Sequence, residues 1–279
     1  MNTKTKKNGC DRPSLVIVTE RDKDIFRALS SGATTFLQLK SIMEKMHKKK
    51  LSERVLRVRL AKLKSADYIA SRAYANRNGQ GKFALYVLTK LSSDILCDAG
   101  YPAGSIRCAL PNDYMVAHDL MVTETVRAIK KEGANIYLYE IWDDNVLKRR
   151  KFLMKPVEKV RHRKTIKKGE AFPDLYVRIT LERKGRRLVH AYDMEIDNNT
   201  EMPAVVVDKA RRHSNTTIIL CTLTSRIDSL RRTCIALGDP NLQNKVYFAL
   251  ISDFSANGFL ESNWIDAEGN RTAVFDLEV

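Results

Sequence analysis

Three acidic residues set the chemistry this sequence invites: Asp174, which follows Pro173, and Glu195 and Asp197 two positions apart at the end of a strand-like segment. Carboxylates that meet at one point repel each other, so at least one pKa rises unless a cation joins them. Mg²⁺ or Mn²⁺ removes that cost. Such ions prefer carboxylate and water oxygens, and a bound ion lowers the pKa of water and stabilises a phosphate under attack. The chemistry expected is therefore metal-dependent phosphodiester cleavage. The other reading of the same acids is a set of solvated salt bridges with the abundant Arg and Lys.

A hairpin must bring them together. Leu175 to Leu181 and Leu188 to Ile196 read as strands around the basic turn Arg183-Lys184-Gly185-Arg186-Arg187. One register sets Leu181 opposite Leu188, Ile179 opposite His190, Val177 opposite Tyr192 and Leu175 opposite Met194, which makes an almost wholly apolar face. On the other face Asp174 then falls across from Glu195, with Asp197 one pleat further. The roots of such paired side chains lie about 4.5 to 5.5 Å apart. Around the hairpin the pattern alternates between helix and strand, as in an α/β domain. His118 to Lys131 is helical, Ile136 to Trp142 is strand-like, and Ile218 to Leu223 and Val246 to Ser252 read as buried strands flanking a helix over Ser225 to Leu237. Trp264 to Val279 reads as an edge strand.

Residues 19–98 carry a different pattern. Thr19 precedes the acidic Glu20 and Asp22 and the apolar Ile25, Phe26 and Leu29, a first helix that Ser31-Gly32 ends. Thr35 caps a second helix with Leu37, Leu39, Ile42 and Met43. A third follows Ser52, with Val55, Leu56, Leu60 and Leu63 expected to face a core. That third helix also bears Arg54, Arg57, Arg59, Lys62 and Lys64, the residue types a recognition helix brings to a DNA major groove. Tyr68 to Ala70 and Phe83 to Leu88 read as strands around the loop Ala75 to Lys82, a wing on which Arg72, Arg77 and Lys82 would lie along the DNA backbone. Ser52 belongs to the same expected DNA-binding face. The predicted fold class is α+β: an N-terminal winged helix-turn-helix followed by an α/β domain with a mixed central sheet.

The net charge of +16 over 279 residues agrees with a nucleic-acid partner, since Lys and Arg that neutralise phosphates supply most sequence-independent affinity. Residues 1–112 hold 22 Lys and Arg against 9 Asp and Glu; residues 113–279 hold 27 against 24. The basic excess thus sits on the first part. The division expected is a basic tail at 1–18, the winged helix at 19–98, a Pro- and Gly-containing linker at 99–112 and the α/β domain at 113–279. Lys148 to Lys168 forms a second basic run, either a solvated loop or a strand guide. No stretch is apolar enough for a membrane span and the N-terminus lacks a secretion signal, so the expected location is cytoplasmic. The five cysteines show no CxxC pair, which argues against a zinc site or a disulfide scaffold. The five histidines are scattered and form no His-hydrophobe-His cluster, which disfavours relaxase chemistry through a metal-assisted Tyr. A packed or capping role is expected for His118, with a place in the site as the alternative.

Pro173-Asp174, Glu195-Ile196-Asp197, Asn199-Thr200-Glu201 and a helix bearing Lys209 resemble the PD-(D/E)xK nuclease core. With the Thr19-Glu20-Arg21-Asp22 start, the Arg59-Leu60 helix and His118-Asp119-Leu120, residues from about 19 to 215 resemble the replication-relaxation family, which includes a class of plasmid mobilisation relaxases. The resemblance implies a restriction-endonuclease-like domain that nicks plasmid DNA in mobilisation or replication. It implies Asp174 and Glu195 as metal ligands, Glu124 as a further ligand, and Lys209 as the cation that orients or polarises water. The nuclease motif places Lys two residues after its acid, where this chain has Asp197, so Lys209 would have to substitute from the next helix. The implied partners are origin-like DNA, with a homodimer or mobilisation and replication accessory proteins. The alternative is a non-catalytic DNA-binding regulator with a degenerate nuclease-like domain.

Overall fold

The computed structural model describes residues 16–75, 81–136, 138–144, 146–147, 172–183 and 186–274. Most of the basic tail at 1–18, the wing tip with Arg77, the middle of the basic turn and the whole run Lys148 to Lys168 lie outside the described residues. The chain divides into two compact units, one reaching Tyr101 and including Cys108–Leu110, the other comprising Pro102–Arg107 and the residues from Pro111 onward. The stretch expected as a linker, 99–112, is thus shared between them.

In the first unit, α1 (Glu20–Leu29) starts at Thr19, whose amide and hydroxyl donate to Asp22 Oδ2 at 2.8 and 2.7 Å. Its stripe of Ile25, Phe26 and Leu29 is buried, as the spacing predicts. β1 (Thr34–Thr35) leads into α2 (Phe36–His47), where the Gln38 amide donates to Thr35 Oγ1 at 3.2 Å and Gln38 Oε1 accepts from the Thr35 amide at 2.9 Å, a reciprocal capping box. The buried face of α2 is Phe36, Leu39 and Met43, while Leu37 is 69% exposed.

α3 (Glu53–Ser65) buries Leu56, Leu60 and Leu63. Val55 was expected with them and is instead 52% exposed. A helix turns about 100° per residue, so position 55 lies more than a quarter-turn off the stripe that 56, 60 and 63 share. β2 (Ile69–Ala75) and β3 (Lys82–Leu88) pair antiparallel from Ile69 opposite Leu88 to Ala75 opposite Lys82, and β1 joins with Thr34 opposite Tyr86. The sequence pattern does not predict α4 (Lys90–Asp98), on which only Ser92 and Leu96 are buried. Helix, strand, two helices and a two-stranded wing in this order make a winged helix.

The second unit runs α5 (Val116–Ile136), β4 (Leu138–Asp143), β5 (Leu175–Arg183), β6 (Arg186–Asp197), α6 (Pro203–Arg212), β7 (Thr216–Cys221), α7 (Thr224–Ala236), α8 (Pro240–Gln243), β8 (Val246–Leu250), α9 (Ile251–Glu261), β9 (Trp264–Ile265) and β10 (Arg271–Thr272). The seven strands form one mixed sheet in the order β10-β9-β8-β7-β6-β5-β4. β4, β5 and β6 are antiparallel neighbours; β6, β7 and β8 are parallel. The hairpin has the register expected of it, Leu181 opposite Leu188 through to Leu175 opposite Met194.

The hairpin's apolar face packs in one core with Val122, Val126 and Ile129 of α5 and Phe254 and Phe259 of α9. A second core joins Val206 and Val207 of α6 and Ile227 and Leu230 of α7 to Ile219 and Phe248 of the sheet. Because strand side chains alternate, Met194 and Ile196 enter the first core and Glu195 and Asp197 turn to the face of α6 and α7. The strand expected over Val246 to Ser252 stops at Leu250, where α9 begins; an apolar run alone does not distinguish strand from helix. No helix among the described residues is long and apolar enough to cross a membrane.

Candidate functional site

Where β5 begins and β6 ends, the second unit holds a cleft of about 310 Å³. Asp174, Glu195, Asp197 and Lys209 all line it, together with His118, Glu201, Tyr114 and Met115. Asp174 immediately precedes β5, β6 supplies Glu195 and Asp197, α5 supplies His118 and α6 supplies Lys209. The site lies beyond the carboxyl end of β6, the strand at which antiparallel pairing gives way to parallel pairing.

Asp174 stands just outside the hairpin ladder. Its Oδ2 accepts the Ile196 amide at 2.8 Å and lies 3.0 Å from His118 Nε2. Glu195 is buried, with Oε1 2.7 Å from Nε2 of the equally buried His213 at the end of α6. Burial pushes the Glu195 carboxyl up to about 7; the His213 hydrogen bond opposes this and the charge of Asp174 adds to it. Burial works against the His118 imidazolium, yet its hydrogen bond to Asp174 and the charges of Asp174, Asp119 and Glu195 prevail and raise its pKa. Lys209 Nζ donates to both oxygens of Glu201, at 2.8 and 2.6 Å. Burial disfavours its charge, but Glu201, Glu195 and Asp174 outweigh that and raise the pKa, so it stays an ammonium.

The other expected site acids, Asp197 and Glu124, pair with arginines. Asp197 lines the cleft, but its carboxylate is clamped by Arg226 of α7 at 2.5 and 3.2 Å, and the same guanidinium donates to the Glu201 carbonyl at 2.6 Å. That pair fixes the loop from Asp197 to Glu201, in which Asn199 has a left-handed φ of 63°. All three expected carboxylates line the cleft, and Asp197 is the one held by an arginine. Glu124, expected as a further metal ligand, does not line the cleft and pairs with Arg127 at 2.6 Å. Six residues of helix separate it from His118, which turns the two side chains roughly 120° apart. Among the described residues no three His, Cys, Asp or Glu side chains form a group able to hold a metal ion.

In the first unit, Arg54, Arg57, Lys62 and Lys64 are exposed along α3, following the exposed N-cap Ser52. Arg57 also stacks over the Phe36 ring at 3.7 Å. Arg72 and Lys82 are exposed on the wing strands. Arg59 has partners within the protein: its Nε donates to the buried Asp22 at 2.6 Å and its Nη2 to the Ile17 carbonyl at 2.9 Å, so it ties α3 to α1.

His213 has no sequence signal, because only the packing of α6 brings it to Glu195. His118, expected to pack or cap, stands in the cleft; the signal was its place beside Asp119 and Leu120 in the resemblance stated above.

A family model described as Replication-relaxation matches residues 31–217. No curated protein matches the sequence. Among solved structures, Bacillus subtilis PadR in complex with operator DNA is similar at 15% identity and a TM-score of 0.26, covering 49% of this chain and 79% of that one.

Proposed function

Since the chain belongs to the replication-relaxation family, we propose that it binds DNA through its winged helix and nicks it, with a divalent cation, at the cleft of the second unit. The observation that carries this reading is the gathering of Asp174, Glu195 and Lys209 around one cleft from three different elements. Two carboxylates are what Mg²⁺ commonly takes from protein when phosphate and water complete its shell. The residues fit such an ion: Glu195 is raised to about 7, and a cation beside it and Asp174 would offset the cost of two neighbouring acids. Asp174 and Glu195 would hold Mg²⁺ or Mn²⁺, which would supply Lewis acidity for attack on a phosphodiester.

The chain's own groups do the rest. Ile196 and His118 fix the Asp174 carboxylate, and His213 fixes Glu195. Lys209, held by Glu201, presents positive charge to a phosphate or to the attacking water, the position a Lys at 197 would otherwise fill. The exposed Arg and Lys of α3 and the wing would neutralise DNA phosphates.

A non-catalytic DNA-binding regulator is the second reading, and one observation favours it: each acid of the cleft already faces its own base, Asp174 with His118, Glu195 with His213, Asp197 with Arg226 and Glu201 with Lys209. Incubation with supercoiled plasmid carrying the DNA that flanks the coding region separates the two. Open circles that form with Mg²⁺ or Mn²⁺ and vanish with chelator support the nickase; salt-sensitive retardation without cleavage supports the regulator.

A further inference from the structure

The solvent side of α3 is not uniformly basic. Val58 is 51% exposed and Val55 52% exposed, although both are residues that normally seek a core. At about 100° per residue, Val58 lies almost diametrically opposite the buried stripe of Leu56, Leu60 and Leu63. Arg54 and Lys62 flank it on the same face, and Ala61, also exposed, leaves that face shallow. The outermost line of the helix therefore carries apolar, short side chains between cations, a pattern poorly suited to water and well suited to a surface that is anionic at its edges and apolar at intervals.

A DNA major groove is such a surface. Phosphates line its edges, and the 5-methyl of thymine is the apolar group on its floor. From this charge complementarity and the apolar centre we infer that Val55 and Val58 read thymine methyl groups, so that the duplex recognised by α3 carries A·T pairs where these side chains meet its floor. The inference rests on the DNA-binding reading above and adds the determinant of sequence preference. The cations of the same helix position the protein on phosphates and carry no sequence information of their own.

The test uses the full chain and duplexes enriched by it from a random pool. In each enriched duplex thymines are replaced one at a time by deoxyuridine, which removes the 5-methyl group and nothing else. Binding is read by fluorescence anisotropy at fixed salt. Wild-type protein is expected to lose about fourfold in affinity at one or two positions, the value of burying one methyl group. The doubly substituted Val55→Ser/Val58→Ser protein is expected to bind thymine and deoxyuridine duplexes equally, with an unchanged salt slope. Wild-type binding insensitive to every replacement would overturn the inference, as would a double variant that keeps the thymine preference. A double variant weakened by the same factor on both duplexes, so that the thymine preference persists, would assign the valines to packing or protein contact, which also overturns it. These failures leave DNA binding intact, whereas recovery of no duplex at all would remove the underlying reading as well.

Discussion

The Ile196 amide donates to Asp174 Oδ2 at 2.8 Å, so a side chain extends the hairpin one step past the Leu175–Met194 pair. The bond holds the Asp174 carboxylate beside Glu195 and lets an acid at the end of a strand be both a structural acceptor and a candidate ligand. Asn at 174 retains an acceptor oxygen, whereas Ala leaves the amide and His118 without one. Asp174→Ala is expected to lower stability by about 1 to 2 kcal/mol and Asp174→Asn by less, read from urea unfolding. Equal stability of the two variants would show that the bond does not hold the site.

Divalent cations should stabilise the wild-type chain, because a ligand that binds only the folded state adds to its stability. Thermal unfolding with Mn²⁺ is expected to move to higher temperature, and Asp174→Asn and Glu195→Gln should each abolish the shift. Glu124→Gln should keep it, since Glu124 pairs with Arg127 away from the cleft.

Arg59 and Arg54 should behave oppositely despite sitting on one helix. Arg59→Ala removes the cation paired with the buried Asp22 carboxylate and leaves it the Thr19 donors alone, at a cost of about 2 kcal/mol or more. Arg54→Ala should leave stability within about 0.5 kcal/mol and reduce the salt slope of DNA binding by about 1. Unfolding curves and a salt titration of binding distinguish them.

Stability should rise with pH because of Lys130. Burial, with the neighbouring Arg107 and Arg127, pushes its ammonium down to about 7 from 10.5. Between those values the unfolded chain binds the proton and the folded chain does not, so folding gains as pH increases through that window and is penalised below it. Lys130→Met should be more stable than wild type at about pH 7, and the advantage should shrink toward about pH 10.

Gly258 joins two helical segments of α9 at φ 72° and ψ −158°, a region open essentially to glycine alone. A Cβ there would stand 2.1 Å from Glu132 Oε2, whose carboxylate accepts the Phe259 and Leu260 amides at 2.6 and 3.0 Å. Gly258→Ala is expected to cost about 3 kcal/mol in urea unfolding, combining backbone strain with the displaced carboxylate.

What the sequence makes legible follows from how local its cause is. Alternation along Leu175–Leu181 and Leu188–Met194 fixes the hairpin register because a one-residue slip would expose every apolar side chain. Capping at Thr19 and Thr35 is equally local. Val55 shows where this ends, since an apolar residue next to a helical stripe is told from a member of it only by angle. The pairing of Asp197 with Arg226, 29 residues away, and of Glu195 with His213 depends on how α6 and α7 dock, which no spacing encodes. Glu124 was implied by resemblance alone, and the turn of α5 presents His118 to the cleft in its place.

The most direct measurement is the conversion of supercoiled plasmid to open circles by wild-type and Asp174→Asn protein, at Mg²⁺ or Mn²⁺ and protein concentrations where both bind the DNA equally. Cation-dependent nicking by the wild type that falls at least a hundredfold in Asp174→Asn is the expected result, on the scale of losing about 3 kcal/mol of transition-state stabilisation. Undiminished nicking by Asp174→Asn would contradict the assignment of the cleft.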